Sequence, residues 1–264
     1  MVSMEFKDII YEKYNGRAKI TINRPDNMNM FTNRTLCEMI TALQSAWSDK
    51  DVGAVIITGA GSKAFTVGGT PAEPEADAPA MEKLPMPSLF SQLLETIRAI
   101  PKPVVAAVNG FAIGGGHVLH VVCDLTIASS SAKFGQVGPK VGSFDAGYGS
   151  AYLARVVGEK KAKEFWYLCK RYSAEECLQM GLVNAVVPPE QLMEETDKWV
   201  DEIVKRSPTS LAALKMSFNA GTASVGGIQA MSGVALNMYF ATDEAKECGK
   251  AFSEKRDPDI AKYR

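Results

Sequence analysis

Residues 134–150 read FGQVGPKVGSFDAGYGS, five glycines around a single carboxylate, Asp145. A lone acid in so pliable a segment has two readings. It is a glycine-rich turn whose Asp bonds its own backbone. Alternatively, Asp145 faces a site as a general acid or base, and the glycines let backbone and ligand come close. Two other segments share a form: an apolar strand, small residues, then an amphipathic run. They are KAFTVGGTP at 63–71 and GFAIGGGHVLHVVCD at 110–124. A helix that begins within the GGG run leaves its first N–H groups without intrahelical partners, at the positive end of the helix dipole. Two such groups from separate loops can form an oxyanion hole. Taken singly, GGG is also a helix start or a close-packing point, and VGGT a turn.

Other chemistries lack their signatures. There is no GxxxxGK[ST] phosphate loop, and no GxGxxG follows a first strand. His117 and His120, the only histidines, form HxxH. A metal would need a third ligand, and an i, i+3 pair on an apolar helix reads as packed and hydrogen-bonded, so no metal is expected. No Ser-His-Asp or Cys-His motif appears.

The elements that must position these groups follow from pattern. Residues 5–12 and 17–23 read as strands joined at Asn15-Gly16. Leu36, Met39, Ile40, Leu43 and Trp47 give helical spacing over 33–48. Buried strands are expected at 53–59, 104–110 and 124–129, and a helix over 88–99. This alternation predicts an α/β fold with mostly parallel pairing. Beyond residue 150, helices are expected at 150–157, 159–170, 174–180, 189–206, 208–220 and 226–252, interrupted by a short strand at 182–187. Ser173 and Glu176 mark a helix start. The expected division is an α/β core over 1–197 and a helical region over 198–264. Residues 70–87, with five prolines and four acids, read as a surface loop or lid.

Composition limits the partners. Of 264 residues, 46% are hydrophobic and 22% charged, as in an ordinary globular protein with a sizeable core. The net charge of −1 provides no basic field for nucleic acid or an anionic membrane. An anionic ligand must be held by local groups. Cys37, Cys123, Cys169, Cys177 and Cys248 are odd in number and lack CxxC spacing, so free thiols in a reducing, cytoplasmic setting are expected. The opening MVSMEFKDIIYEKYNG mixes acids and lysines into its apolar residues, unlike a secretory signal. No 18-residue apolar run predicts a membrane span.

Together these segments resemble the crotonase (enoyl-CoA hydratase/isomerase) superfamily. The matching residues are NRPDNMNMF at 23–31, KAFTVGGT at 63–70, PKPVVAAVNGFAIGGGHVL at 101–119, CDLTIASSSAKFGQVGPKVG at 123–142 and AEECLQMGLVNAVV at 174–187. They cover nearly the whole chain, in order. The resemblance implies a spiral of β-β-α units followed by helices that build a homotrimer or homohexamer. It places the oxyanion-hole donors at the N–H groups of Gly69 and Gly115. It places CoA, as part of an acyl-CoA thioester substrate and with no separate cofactor, near Asn27, Met28 and Asn29. Lys255 and Arg256 would reach its phosphates, from a neighbouring subunit where the geometry requires it.

The acids narrow this. Where hydratases of the superfamily carry two glutamates, this chain has Val118 and Gly138, so simple hydration is not expected. GPKVGSFDAGYG and the run after it are similar to the branch of 2-ketocyclohexanecarboxyl-CoA hydrolase and 1,4-dihydroxy-2-naphthoyl-CoA synthase. Asp145 matches that branch's catalytic aspartate. There are departures. Thr70 stands where the branch has Asp. The synthase's arginine-bearing segment is replaced by the 70–87 run. Val137 replaces the Thr of a bicarbonate site, although Gln136 and Trp166 match. Phe240 falls where a catalytic Tyr is expected, leaving Tyr239 as the nearby hydroxyl. The resulting expectation is hydrolytic ring opening of an alicyclic β-ketoacyl-CoA, with Asp145 as base and Tyr239 as proton donor. The alternatives are the ring-closing synthase and a catalytically silent acyl-CoA-binding paralogue.

Overall fold

A computed structural model describes residues 5–69 and 88–263. The 70–87 run read as a loop lies outside the described residues. The chain opens with a hairpin of β1 (Ile9–Tyr14) and β2 (Arg17–Ile22). Tyr14 pairs with Arg17, so the turn is Asn15-Gly16 alone, with φ of 46° and 76°. This is the twist-matched turn that Asn-Gly favours. Helix α1 (Asn33–Ser48) starts at a reciprocal cap between Thr32 and Thr35. It buries Leu36, Met39 and Leu43. Trp47, read as part of that face, is 43% exposed.

A β-β-α unit then recurs three times. Its members are β3 (Ala54–Gly59), β4 (Ala64–Thr66) and α2 (Leu89–Ala99); β5 (Val104–Val108), β6 (Phe111–Ile113) and α3 (Gly115–Val122); and β7 (Leu125–Ser129), β8 (Lys133–Gly135) and α4 (Gly138–Val141). The first strand of each unit enters a six-stranded sheet ordered β1-β2-β3-β5-β7-β10, where β10 is Ala185–Val187. All pairings in it are parallel except β1 with β2. The second strands form another sheet, β4-β6-β8-β9, closed by antiparallel β9 (Arg171–Ser173). Every residue of β3 and β5 is buried, which explains their unbroken apolar runs. Because each unit sends one strand to each sheet, the turns after β4, β6 and β8 stack along one edge. Those turns carry all three glycine-rich segments.

A π-helical turn, Gly147–Tyr152, leads into α5 (Leu153–Val157), α6 (Glu159–Leu168) and α7 (Ala174–Gln179), the last opened by the expected Ser173–Glu176 cap. The remaining helices are α8 (Leu192–Val204), α9 (Pro208–Ala220), α10 (Ala223–Phe240) and α11 (Asp243–Ser253). Two expectations are corrected. The helix read over 226–252 is two helices, because Thr242 caps a new one by accepting the Ala245 N–H. The boundary at 197/198 falls inside α8, which belongs to the core. Its Leu192 and Val200 pack with Ala54, Ile56, Val105, Ala107 and Ile127, and buried Arg17 reaches Asp197 (2.7 Å) and Asp201 from β2. None of the five cysteines is in a disulfide. No helix among the described residues is long and apolar enough to cross a membrane.

Candidate active site

The two glycine loops meet. Gly68 adopts φ +88°, and a Cβ on it would lie 2.8 Å from the Gly115 backbone nitrogen. A side chain there would be strained and would block the approach of the two loops. Gly115 is the first residue of α3, so its N–H belongs to the unpaired first turn. Gly69 pairs through an isolated parallel bridge with Phe31, whose N–H donates to Gly68 O at 2.8 Å. No hydrogen bond from the Gly69 N–H is found among the described residues. Phe31 and Phe90 pack on each other at 5.6 Å and against the Gly115 position. The result is a pair of free backbone donors beside an apolar wall.

The Asn27–Asn29 turn is tied to the same place. Met28 and Asn29 both have φ 54°. Asn29 is fully buried, and its side chain is spent on the backbone: Oδ1 accepts the Arg24 N–H (2.9 Å), and Nδ2 donates to Ala60 O (3.0 Å) and Ala64 O (2.7 Å). Asn29 therefore anchors the turn to β4. Asn27 is exposed and Met28 half-buried. At the other end of the chain, Arg256 is held by Glu247 and Glu254, both at 2.6 Å. Its charge is thus already balanced. The Lys255 ammonium has no ion-pair partner among the described residues. No hydrogen bond or ion pair joins either residue to the Asn27–Asn29 turn within one chain.

Asp145 sits both in its own turn and at a cleft. Its Oδ1 accepts the N–H groups of Gly147 (3.0 Å) and Gly149 (2.9 Å), so it does bond its own turn. It also lines a cleft of about 450 Å³ with Phe144, Ala154, Glu159, Lys163 and Trp166. A Cβ on Gly149 would sit 2.7 Å from the Asp145 Cβ and 2.9 Å from the Trp166 ring, so glycine there makes room for the carboxyl. Burial pushes the Asp145 carboxyl above its usual range, against the opposing pull of the Gly149, Gly147 and Gln229 donors. The other acid on the cleft, Glu159, moves the opposite way, because the Lys163 ammonium bonds and pairs with it at 2.6 Å. Two carboxylates driven apart in this manner suit different roles.

Gly69 and Gly115 do not line that cleft. A chain of contacts runs from one place to the other. Val137 touches the Gly114 position, and Gly138 and Gly149 both abut the Trp166 ring. The Trp166 indole N–H donates to Gly149 O at 2.6 Å. Gln136 Nε2 lies 3.2 Å from His117 Nδ1. A bicarbonate at this point would need the Trp166 donor and a hydroxyl at 137. The first is taken and the second is Val137, so these residues do not fit that group.

Tyr239 requires a correction. Its ring packs on Phe144 at 5.6 Å, next to Asp145. Its hydroxyl lies near Glu244 and Cys248 of α11, and Tyr239 is not among the residues lining the cleft. Burial raises it to about 12. The break at Thr242 turns α11 back beneath it, which a continuous helix would not do. The histidines are a core pair, edge to face at 4.9 Å, with burial pushing His117 down to about 3. No group of three or more potential ligands that could hold a metal occurs among the described residues.

A sequence model of the family described as enoyl-CoA hydratase/isomerase matches residues 12–262. Among solved structures, the chain is similar to an enoyl-CoA hydratase from Mycobacterium avium subsp. paratuberculosis K-10. The identity is 28% and the TM-score 0.84, over 97% of this chain and 99% of that one. It is likewise similar to an enoyl-CoA hydratase/isomerase from Pseudoalteromonas atlantica T6c, with 29% identity and a TM-score of 0.86 over 97% and 100%.

Proposed function

The chain belongs to the enoyl-CoA hydratase/isomerase family, and from that premise we propose that it opens the ring of an alicyclic β-ketoacyl-CoA by adding water. The family makes it an acyl-CoA-processing enzyme. The ring-opening assignment rests on one observation: the cleft presents a single carboxylate poised for proton transfer. Asp145 is shifted up, whereas Glu159 is held ionised in an exposed pair with Lys163. At the two positions where the resemblance places hydratase glutamates stand Val118, buried on α3, and Gly138. A Cβ on Gly138 would lie 2.5 Å from Ser143 O and 2.9 Å from the Trp166 ring. No side chain fits there without rearrangement.

In this reading Asp145 takes a proton from water, and the hydroxide oxygen bonds to the ring ketone carbon. The resulting alkoxide re-forms its C=O and breaks the bond to the α carbon. That electron pair becomes a thioester enolate, whose oxygen is held by the Gly69 and Gly115 N–H groups. The protonated Asp145 then gives its proton to the α carbon. One acid thus carries one proton from water to carbon, and a raised pKa serves both halves of the transfer. Tyr239, with its hydroxyl toward α11, supports the wall residue Phe144 through its ring and is not needed as donor. Ring closure by a synthase is less well supported, because the residues around Trp166 and Val137 do not fit bicarbonate.

The same reading includes a homotrimer, alone or paired into a hexamer. Phe218, Met231 and Met238 are 76%, 75% and 70% exposed on α9 and α10, more apolar surface than a lone chain should present. A neighbouring copy would cover it, and Lys255, with no carboxylate partner among the described residues, is available to meet a CoA phosphate where Arg256 is not. The deciding experiment incubates the protein with cyclic β-ketoacyl-CoA esters of several ring sizes. Mass spectrometry should find one added water and a new carboxylate. Turnover of straight-chain 2-enoyl-CoA with the ring esters untouched would overturn the proposal.

A further inference from the structure

Four consecutive backbone N–H groups, those of residues 146 to 149, surround the Asp145 side chain. Two donate to Asp145 itself, from Gly147 and Gly149. The two between and before them go to α10. Tyr148 N–H donates to Gln229 Oε1 at 2.8 Å, and Ala146 N–H donates to Ser232 Oγ at 3.0 Å. Aspartate and helix therefore hold alternate rungs of one short ladder. Gln229 is 5% exposed on α10, and it lies so close to Gly147 that a Cβ on that glycine would overlap it.

The orientation of the Gln229 amide is fixed by its neighbour. A peptide N–H can only donate, so the atom facing Tyr148 must be the oxygen. The NH₂ group then turns the other way. It donates to Ser91 Oγ at 3.2 Å. Ser91 follows Phe90, the ring that packs at Gly115. Gln229 thus touches the acid's turn on one side and, through α2, the wall of the oxyanion pair on the other. α10 carries no charged residue. Charged groups that face the turn and its cleft are Glu95 and Arg98 of α2 and Glu159 and Lys163 of α6, and α11 brings Glu244 toward Tyr239 at the far end of α10. Glu95 accepts from the Tyr148 hydroxyl at 2.7 Å, Arg98 lies over the Tyr148 ring, and Glu159 and Lys163 pair with each other.

We propose that Gln229 is the positioning residue of the Asp145 carboxyl. It fixes the 146–149 turn that presents the acid, and so sets which backbone donors the buried carboxyl keeps. This rests on Asp145 being the base, and the test separates the two ideas. Gln229→Glu keeps shape and the acceptor for Tyr148 but removes a donor and adds a like charge. Gln229→Met keeps volume and removes both polar contacts. The titration of Asp145 is followed in ligand-free protein by carboxyl ¹³C resonance, with the Asp145→Asn spectrum identifying the signal.

The midpoint should rise by about one unit or more in Gln229→Glu and by a smaller step in Gln229→Met. The acid limb of the kcat/KM profile should follow it, with KM changed less than about threefold and kcat lowered about tenfold. A midpoint unchanged in both folded variants would overturn the proposal, whatever the activity does. So would loss of folding in the isosteric Gln229→Glu, which would assign the residue to the fold alone. A shifted midpoint without a shifted rate profile would keep Gln229 as the positioning residue and remove Asp145 from the chemistry.

Discussion

Helices α1 and α10, of 16 and 18 residues, bury opposite kinds of side chain. α1 turns Leu36, Met39, Ala42 and Leu43 inward and leaves Arg34 and Glu38 toward its rim. α10 buries Val225, Gln229 and Ser232 and exposes Ile228, Met231, Val234 and Met238. The first is an ordinary amphipathic helix, held by apolar burial. The second is turned inside out. Its inner face holds the backbone of a loop, and its outer face is apolar and left uncovered by the described residues. One helix secures the fold, while the other connects the acid's turn to an exposed apolar surface.

If that division is right, changes at α10's client should affect rate and changes at α1 should affect stability. The largest effect is expected from Asp145→Asn, about a hundred- to ten-thousand-fold in turnover, with acyl-CoA binding measured by calorimetry within a few-fold of normal. A near-normal turnover would leave α10's inner face without a catalytic client. Leu43→Ala should cost about 2–5 kcal/mol of stability, read by urea titration, with kcat per folded molecule unchanged. Met231→Glu should convert the assembly toward a chain mass of 28.5 kDa in light scattering, since it places a charge in the outward apolar face. An unshifted mass would show that this face is not an interface.

A smaller effect tests the acid itself. The Asp145 carboxyl titrates above its ordinary range in the folded chain. Between the ordinary Asp value near 4 and that raised value, the folded state binds more protons than the unfolded one, so this group's contribution to stability falls as pH rises. Asp145→Asn removes that titration. The variant should melt above the parent at pH 7, with the gap closing as the pH approaches about 4. A gap that opened on acidification would reverse the sign. The smallest effect is expected from Tyr239→Phe. Its hydroxyl faces α11, so turnover should change less than about threefold; a loss of tenfold or more would restore the hydroxyl as proton donor.

How much of this the sequence disclosed depended on element length. The Asn15-Gly16 hairpin, α1 and the runs of β3 and β5 were legible because turn chemistry and periodicity acted over enough residues. The second sheet was not, since β4, β6, β8 and β9 are three residues each, too short for any alternation to register. The glycine loops and Asp145 were found, but not that Gly138 and Gly149 are glycine because the Trp166 ring occupies the space. Tyr239 was placed by likeness, and the helix break at Thr242 redirected its hydroxyl. Gln229 was missed although a signal existed. Gln229 and Ser232, three apart in a chargeless apolar helix, form a polar stripe that a plain membrane-like or buried helix has no use for.

The crowding at Gly138 has a bearing on redesign. On paper, one substitution would place a glutamate at that point. Here the Ser143 carbonyl and the Trp166 ring have closed over the position, and the indole is itself locked to Gly149. Gly138→Glu alone would unseat both before the new acid met any substrate. Putting an acid at this point therefore requires several coordinated changes, the first of them harmful. A mutagenesis screen that changes one position at a time would discard Gly138 as intolerant.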